Sequence, residues 1–402
     1  MEPVIVLQGP RSVGKSTLLT ALAGGERHRV LDLDDLATRD AVRADPAFSV
    51  ASEGPIFIDE FQHVPEILDA IKAELNRDAS PGRFILTGST SYGSLPLAAR
   101  SLTGRAHVMT VLPLSQGEIA EVRESFAQVL IEDPSRLAPH VGQTQRAGYA
   151  RRVLTGGFPL ALRRRQPAER ARWFDDYVHM IIERDVLELS NVRQRDQLPL
   201  LLRRLASQTG SVLNMAAAAS AIRMESSTAE NYTKLLEAVF LLRRLPAWGT
   251  TLGSRVATAP KIHLVDSGLA GRLMRVTAEK LTPTNPQALA EFGHLLETFA
   301  VGEIVKQLAW VDEPTSVGHW RTHNEAEVDL VIERGDGLVV GVEVKAGSRV
   351  PGGSVRGLQL LRERLGSRFL GGVVLYTGTR AYAYAPTIFV LPLDRLWAPA
   401  TL

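Results

Sequence analysis

The chain has 402 residues, and its 46 Lys and Arg nearly balance 44 Asp and Glu, for a formal net charge of +2. That length allows two or three domains, each with its own core, and 45% hydrophobic residues is ordinary for a globular protein. The absence of cysteine excludes disulfides, thiolate catalysis and Cys-based zinc sites, and so mild a charge does not by itself declare a polyanionic partner. The nine His show no metal-ligand spacing, a strand is expected to open by residue 4 so that no signal peptide is expected, and no apolar run is long enough to span a bilayer. The expected location is cytoplasmic, with no membrane contact.

Val4-Ile5-Val6-Leu7 reads as a buried strand, and Gly9-Pro10-Arg11-Ser12-Val13-Gly14-Lys15-Ser16 follows it directly. This is the G-x-x-x-x-G-K-[ST] phosphate loop, and Thr17 to Leu22 continues as the helix that the pattern requires. Gly9 and Gly14 let the backbone curl so that N–H groups point at an anion, and the helix N-terminus adds about half a positive charge. The expectation is ATP with Mg²⁺: Lys15 on the β- and γ-phosphates, Ser16 in the metal shell, and residues Gly9 to Thr17 as the binding loop.

A second strand over Arg29 to Leu33 ends in Asp34 and Asp35, and a polar helix is expected from Ala37 to Asp45. Gly54 to Ile58 gives a third strand, closed by Asp59 and Glu60. Strand C-termini of a parallel sheet gather on the edge where the phosphate loop lies. Asp59 is therefore placed for Mg²⁺, and Glu60 for orienting and deprotonating the attacking water. Ile67 to Leu75 is a helix, and Arg83 to Thr90 is a strand whose polar tip, Ser89 first and Thr87 second, can touch the γ-phosphate or the lytic water. Leu95 to Leu102 reads as helix, Thr103-Gly104-Arg105 as its stop, and His107 to Leu112 as the fifth strand.

Beyond residue 120 the chain is polar and uninformative until Gly156-Gly157-Phe158-Pro159 punctuates it. Arg163-Arg164-Arg165, Arg170 and Arg172 form the most basic stretch, readable as a solvated face or as nucleic-acid contact. Trp173 to Leu189 is amphipathic and contains Glu183-Arg184-Asp185, with Arg184 read as a nucleotide sensor or, more simply, a surface ion pair. Helices over 197–207, 215–222 and 228–240, then strands over 241–248 and 261–265, give a winged-helix layout. DNA contact through it would use Ser227, Thr228, Asn231, Lys234, Arg243 and Arg244.

A proline-containing linker at 281–286 precedes a long helix over 288–308 that carries Glu297 and Glu303. Glu327 to Ile332 and Leu338 to Lys345 then flank the three-residue loop Gly335-Asp336-Gly337. Folding about Asp336 pairs Val328 with Val344, Leu330 with Val342 and Ile332 with Val340, all apolar, and sets Asp329 opposite Glu343. Two facing carboxylates repel unless a cation or proton lies between them. A second metal at Asp329 and Glu343, with Glu297 or Glu303 completing the acids and Lys345 orienting water, would suit phosphodiester hydrolysis. Asp followed by Glu-x-Lys on such a hairpin resembles the PD-(D/E)XK nuclease fold, either active or kept only for DNA grip or packing.

The whole chain resembles bacterial and archaeal AAA-type ATPases that carry a C-terminal domain of unknown function. The motifs that carry the resemblance are the phosphate loop, Ile58-Asp59-Glu60, Leu86-Thr87-Gly88-Ser89, Ser101-Leu102-Thr103-Gly104-Arg105 and Gly156-Gly157-Phe158-Pro159. Glu183-Arg184-Asp185, the Pro260-to-Leu269 segment and Glu327-Val328-Asp329 with Glu343-Val344-Lys345 extend it almost end to end. Ser89 is a departure, because many AAA proteins carry Asn there. The resemblance implies that Arg105, with Arg100 as competitor, reaches a neighbouring subunit's nucleotide in a homo-oligomeric ring.

The fold expected is α/β: a P-loop AAA-like parallel sheet over 1–120, a helical lid over 121–195, a winged helix over 196–280 and a restriction-endonuclease-like domain over 281–402. The function expected is ATP hydrolysis coupled to work on DNA, with branched or junction DNA as a candidate substrate. The alternatives are a nucleotide-dependent assembly switch with a protein partner and an ATP-regulated, metal-dependent nuclease.

Overall fold

Strands β1 (Val4–Gln8), β2 (Val30–Asp32), β3 (Ile56–Asp59), β4 (Phe84–Gly88) and β5 (Ala106–Thr110) form one parallel sheet in the computed structural model, in the order β2-β3-β4-β1-β5. The structure describes residues 2–24, 28–52, 54–94, 102–137, 141–189, 194–249, 259–283, 285–322 and 326–399. The helix expected from Leu95 lies largely outside them, as does Arg100. Continuous apolar runs make β1, β3 and β4 central strands buried on both faces, as parallel sheets require. Asp35, which ends the second strand region, caps the helix Leu36–Ala44 by accepting from Thr38 N.

The described chain divides into two compact units, each assembled from segments that are not consecutive in sequence. One comprises Met1–Pro113, Met180–Asn191 and Lys234–Leu241; the other comprises Leu114–His179, Val192–Thr233 and Leu242–Leu402. The physical reason lies in the helix Pro286–Leu308, which buries residues on every side, including Phe292, Leu295, Leu296, Phe299 and Ile304. Gln307 accepts from Ala127 N at 3.0 Å, and Glu303 accepts from Gln116 N at 2.6 Å. Lid and C-terminal segments therefore share a core.

In this second unit β6 (Ser211–Val212), β7 (Leu242–Leu245) and β8 (Lys261–Leu264) form a three-stranded antiparallel sheet, order β6-β8-β7, beside the helices Gln197–Ala206 and Met215–Ala221. Six further strands, β9 (Thr315–Arg321), β10 (Glu327–Arg334), β11 (Val339–Lys345), β12 (Phe369–Tyr376), β13 (Tyr382–Ala385) and β14 (Ile388–Pro392), run in the order β13-β14-β12-β11-β10-β9. The β10–β11 hairpin has the register read from its apolar alternation, with Leu330 opposite Val342 and Ile332 opposite Val340.

Gly156-Gly157 and the segment around Asp266 are packing partners. Asp266 accepts from Gly157 N at 2.7 Å and caps the helix Ser267–Leu273 through Leu269 N. A Cβ at Gly156, where φ is +68°, would lie 2.2 Å from Asp266 Oδ1. Two motifs more than a hundred residues apart are thus one structural joint.

Candidate nucleotide site and the acidic centre of the C-terminal sheet

The phosphate loop leaves β1 and enters α1 (Lys15–Leu22). Gly9 is at φ +152°, and a Cβ there would meet Val111 O at 2.1 Å, so the backbone just after β5 presses on the loop where a side chain would stand. Gly14 caps α1 in the left-handed region at φ +100°, which a Cβ disfavours. Lys15 is buried, and its Nζ donates to Gly9 O at 3.0 Å and Pro10 O at 2.7 Å. Burial lowers its pKa to about 8, against the opposing pull of Glu60 and Asp59.

Asp59 and Glu60 lie beside this loop, and Thr87 on β4 joins them. Its hydroxyl donates to Asp59 Oδ1 and accepts from Glu60 N at 3.1 Å. Glu60 adopts a left-handed φ of +53°, a strained conformation for a residue with a Cβ and one found preferentially at functional sites. Gln62 Nε2 donates both to the Glu60 carboxylate and, at 3.1 Å, to Ser89 Oγ. Ser89 therefore touches Glu60's orienting partner. Burial raises the pKa of Asp59, while hydrogen bonds from Thr87 and Ser16 oppose that shift. The donor set fits a magnesium nucleotide: an ammonium, a hydroxyl and a carboxylate hydrogen-bonded to each other's neighbourhood, and a second carboxylate one residue on.

The sequence reading missed one contact. Arg11 Nε donates to Asp185 Oδ2 at 2.7 Å and Oδ1 at 2.9 Å, with Asp185 buried. Asp185 belongs to Ile181–Val186, a turn of π-helix, the wide helical form that recurs at functional sites. Arg184, singled out instead, lies 3.6 Å from Asp34 as a surface ion pair. An acid set among Ile181, Ile182 and Val186, all buried, was the available signal. Arg105 is partly exposed at the start of β5, with Nη1 donating to Asn76 Oδ1 at 3.1 Å.

Ser227, Asn231 and Lys234 are exposed along the helix Ser226–Ala238, with Thr228 half-buried. The two arginines of β7 are not a free basic edge. Arg243 is half-buried and its pKa is lowered by burial, while Arg244 donates to Glu230 at 2.8 Å, because both belong to a packed strand. Of the basic stretch, Arg163, Arg164, Arg165 and Arg172 are exposed, whereas Arg170 is tied to Thr155 and Arg164 O.

The C-terminal hairpin gathers the expected acids around a lysine that the sequence did not point to. Asp329, Glu343 and Glu297 are all buried, and Glu343 Oε2 is a buried atom without a hydrogen-bond partner. Lys261 of β8, read from the sequence as part of a wing, is 1% exposed and reaches into the cluster. Its Nζ lies 2.7 Å from Glu297 Oε1, 2.5 Å from Glu327 Oε1 and 2.9 Å from Asp329 Oδ1. Lys345 pairs with Glu343, and Glu303 pairs with Lys306 at 2.7 Å instead of joining the cluster. Burial, with Asp329 adding, pushes the Glu343 carboxyl up to about 8. Among the described residues no group of three or more His, Cys, Asp or Glu is arranged to hold a metal ion.

A parallel sheet with β4 inserted between β1 and β3, a phosphate loop after β1 and an acid pair closing β3 defines a P-loop ATPase of the AAA type. Comparison with known families agrees: residues 1–120 match the AAA domain, 146–280 a domain of unknown function (DUF8612) and 292–396 another (DUF4143). The chain thus has an AAA-type ATPase domain over residues 1–120 and a DUF4143 domain over 292–396. It is similar to two uncharacterized proteins, Mb2031c of Mycobacterium bovis and Rv2008c of Mycobacterium tuberculosis. Each is 27% identical over 401 residues, covering 98% of this chain and 81% of the relative. A solved structure, the Walker-type ATPase PABY2304 of Pyrococcus abyssi, aligns at 14% identity and a TM-score of 0.36 over 68% of this chain and 91% of its own. No helix among the described residues is long and apolar enough to cross a membrane.

Proposed function

We propose that the protein is an oligomeric ATPase that hydrolyses ATP to act on DNA, with branched or junction DNA as the first substrate to test. The observation that supports hydrolysis most directly is the join that Thr87 makes between Asp59 and Glu60 beside Lys15. Lys15 would move from its loop carbonyls to the β- and γ-phosphates, and Asp59 with Ser16 would hold the magnesium. Bound Mg²⁺ would neutralise charge on the phosphates. Glu60, steadied by Gln62, would orient the attacking water and take its proton. Arg105 would serve a neighbouring subunit, so hydrolysis would need assembly.

The DNA reading rests on the exposed polar face Ser227, Asn231 and Lys234, spaced four and three residues apart on one helix. The small sheet of β6, β7 and β8 follows the winged-helix order. The test is ATP turnover with single-stranded, duplex and four-way-junction DNA. Stimulation of several-fold by one of them, lost in Asn231→Ala/Lys234→Ala with basal turnover intact, is expected. Turnover indifferent to every DNA would overturn this reading.

A nucleotide-dependent assembly switch is the second reading. The buried Arg11–Asp185 pair favours it, because it ties the phosphate loop to a distant segment of the chain. Mixing Arg105→Ala with Glu60→Gln subunits tests assembly itself: rescue of turnover in the mixture is expected, and none would refute an arginine acting across subunits.

A further inference from the structure

An ammonium group has three N–H donors, and Lys261 has three carboxylates around it. Glu297 and Asp329 are at 2.7 and 2.9 Å, Glu327 is at 2.5 Å, and the side chain is all but sealed from solvent. The remaining oxygen of Asp329 is also engaged, accepting from Val344 N at 2.9 Å. Glu343 is held by Lys345. Of the oxygens that would ligate a divalent ion between β10 and β11, both of Asp329 are committed to the protein's own donors, Glu297 and Glu327 each give one to Lys261, and Glu343 Oε2 is buried without a hydrogen-bond partner. For such an ion to enter, Lys261 would have to surrender its partners while remaining buried, an uncompensated charge in a low-dielectric setting.

We infer that Lys261 is the resident cation of this acidic centre: a side chain from β8 stands where a divalent ion would sit, and the C-terminal sheet is not a metal-dependent nuclease. The Asp329, Glu343 and Lys345 constellation persists as a joint that fastens the three-stranded sheet to the β10–β11 hairpin. The inference is independent of the nucleotide site and holds whether or not the protein acts on DNA.

The test is titration of nucleotide-free, full-length protein with Mn²⁺, followed by calorimetry and melting temperature. Wild type is compared with Asp329→Asn, Lys261→Ser and Lys261→Ser/Asp329→Asn. Wild type and Asp329→Asn should give the same isotherm. Lys261→Ser should gain one Mn²⁺ site at least tenfold tighter than anything in wild type, lost again in the double variant. A wild-type Mn²⁺ site abolished by Asp329→Asn would overturn the inference, as would a folded Lys261→Ser protein that gains none. Should Lys261→Ser fail to fold, wild type against Asp329→Asn remains decisive. DNA cleavage in Mn²⁺ supplies a second readout: wild type should show none that Glu343→Gln removes, and cleavage so removed would refute the inference.

Discussion

Arg11 and Asp185 are 174 residues apart in sequence, and their side chains meet at 2.7 Å inside the ATPase unit. The phosphate loop is thereby braced from outside the 120-residue segment that the AAA family accounts for. Removing one partner of a buried pair strands the other's charge, which costs about 3 kcal/mol. Asp185→Ala should therefore lower the denaturant midpoint and weaken ATP binding, while the charge-conserving Asp185→Glu recovers part of both. Equal nucleotide affinity in Asp185→Ala and wild type would show that the brace has no bearing on the loop.

Thr87 is fully buried, and its one hydroxyl serves two neighbours. Thr87→Val keeps the shape, removes the donor to Asp59 and leaves Glu60 N without its acceptor, at about 1–3 kcal/mol for an unmade buried hydrogen bond. Misplacing a reacting group by ~1 Å costs up to ~100-fold in rate. Single-turnover kinetics should show kcat down by about 10- to 100-fold with ATP binding little changed.

Burial depresses the Lys15 ammonium to about 8 from an ordinary 10.5. A bound triphosphate favours the charged form and raises it again. Above pH 8 the free protein carries mostly neutral Lys15, so ATP binding takes up close to one proton; at pH 6.5 it takes up almost none from this group. Calorimetry in buffers of different ionisation enthalpy measures the difference. A proton uptake that is flat from pH 6.5 to 9 would contradict this assignment. Lys15→Ala should abolish both the uptake and hydrolysis.

Glu124 is buried against the N-terminus of the helix Gln116–Ala120, where Gly117 N donates to it. Burial pushes its carboxyl up to about 7 from 4.5, and Ser115 only partly opposes that. The folded state thus holds this proton more tightly than the unfolded chain does. Its stabilising contribution is complete below about pH 4.5 and is lost as pH rises through 7. Glu124→Gln keeps the acceptor and removes the titration. The variant should melt at a temperature less dependent on pH between 5 and 8, and above wild type at pH 8.

The sequence made the ATPase sheet legible because its signals are local. A run of four apolar residues, two glycines at fixed offsets and an acid pair after Ile58 each fit within a dozen residues. The C-terminal hairpin was legible for the same reason, since alternation about Asp336 specifies which face is buried and hence which residues pair. Lys261 was not. It lies between apolar neighbours in a short strand, and periodicity cannot say that a lysine there turns inward to meet an acid 68 residues later. The facing carboxylates did announce that something positive must lie among them, but the spacing alone does not say whether a metal ion or a distant lysine supplies it. Asp185 escaped for the same reason of distance. Arg243 and Arg244 misled because a basic dipeptide on a strand looks alike whether the strand is rim or interior.

Gly9 owes its identity to a backbone carbonyl from outside the phosphate loop. Val111 O fills the space a side chain would need there, so the curvature of the anion cradle is cast partly by residues arriving after β5. A redesign aimed at a different triphosphate, varying only positions within the loop itself, would leave that mould untouched. Altering the cradle's contour means moving residue 111 in concert with residue 9.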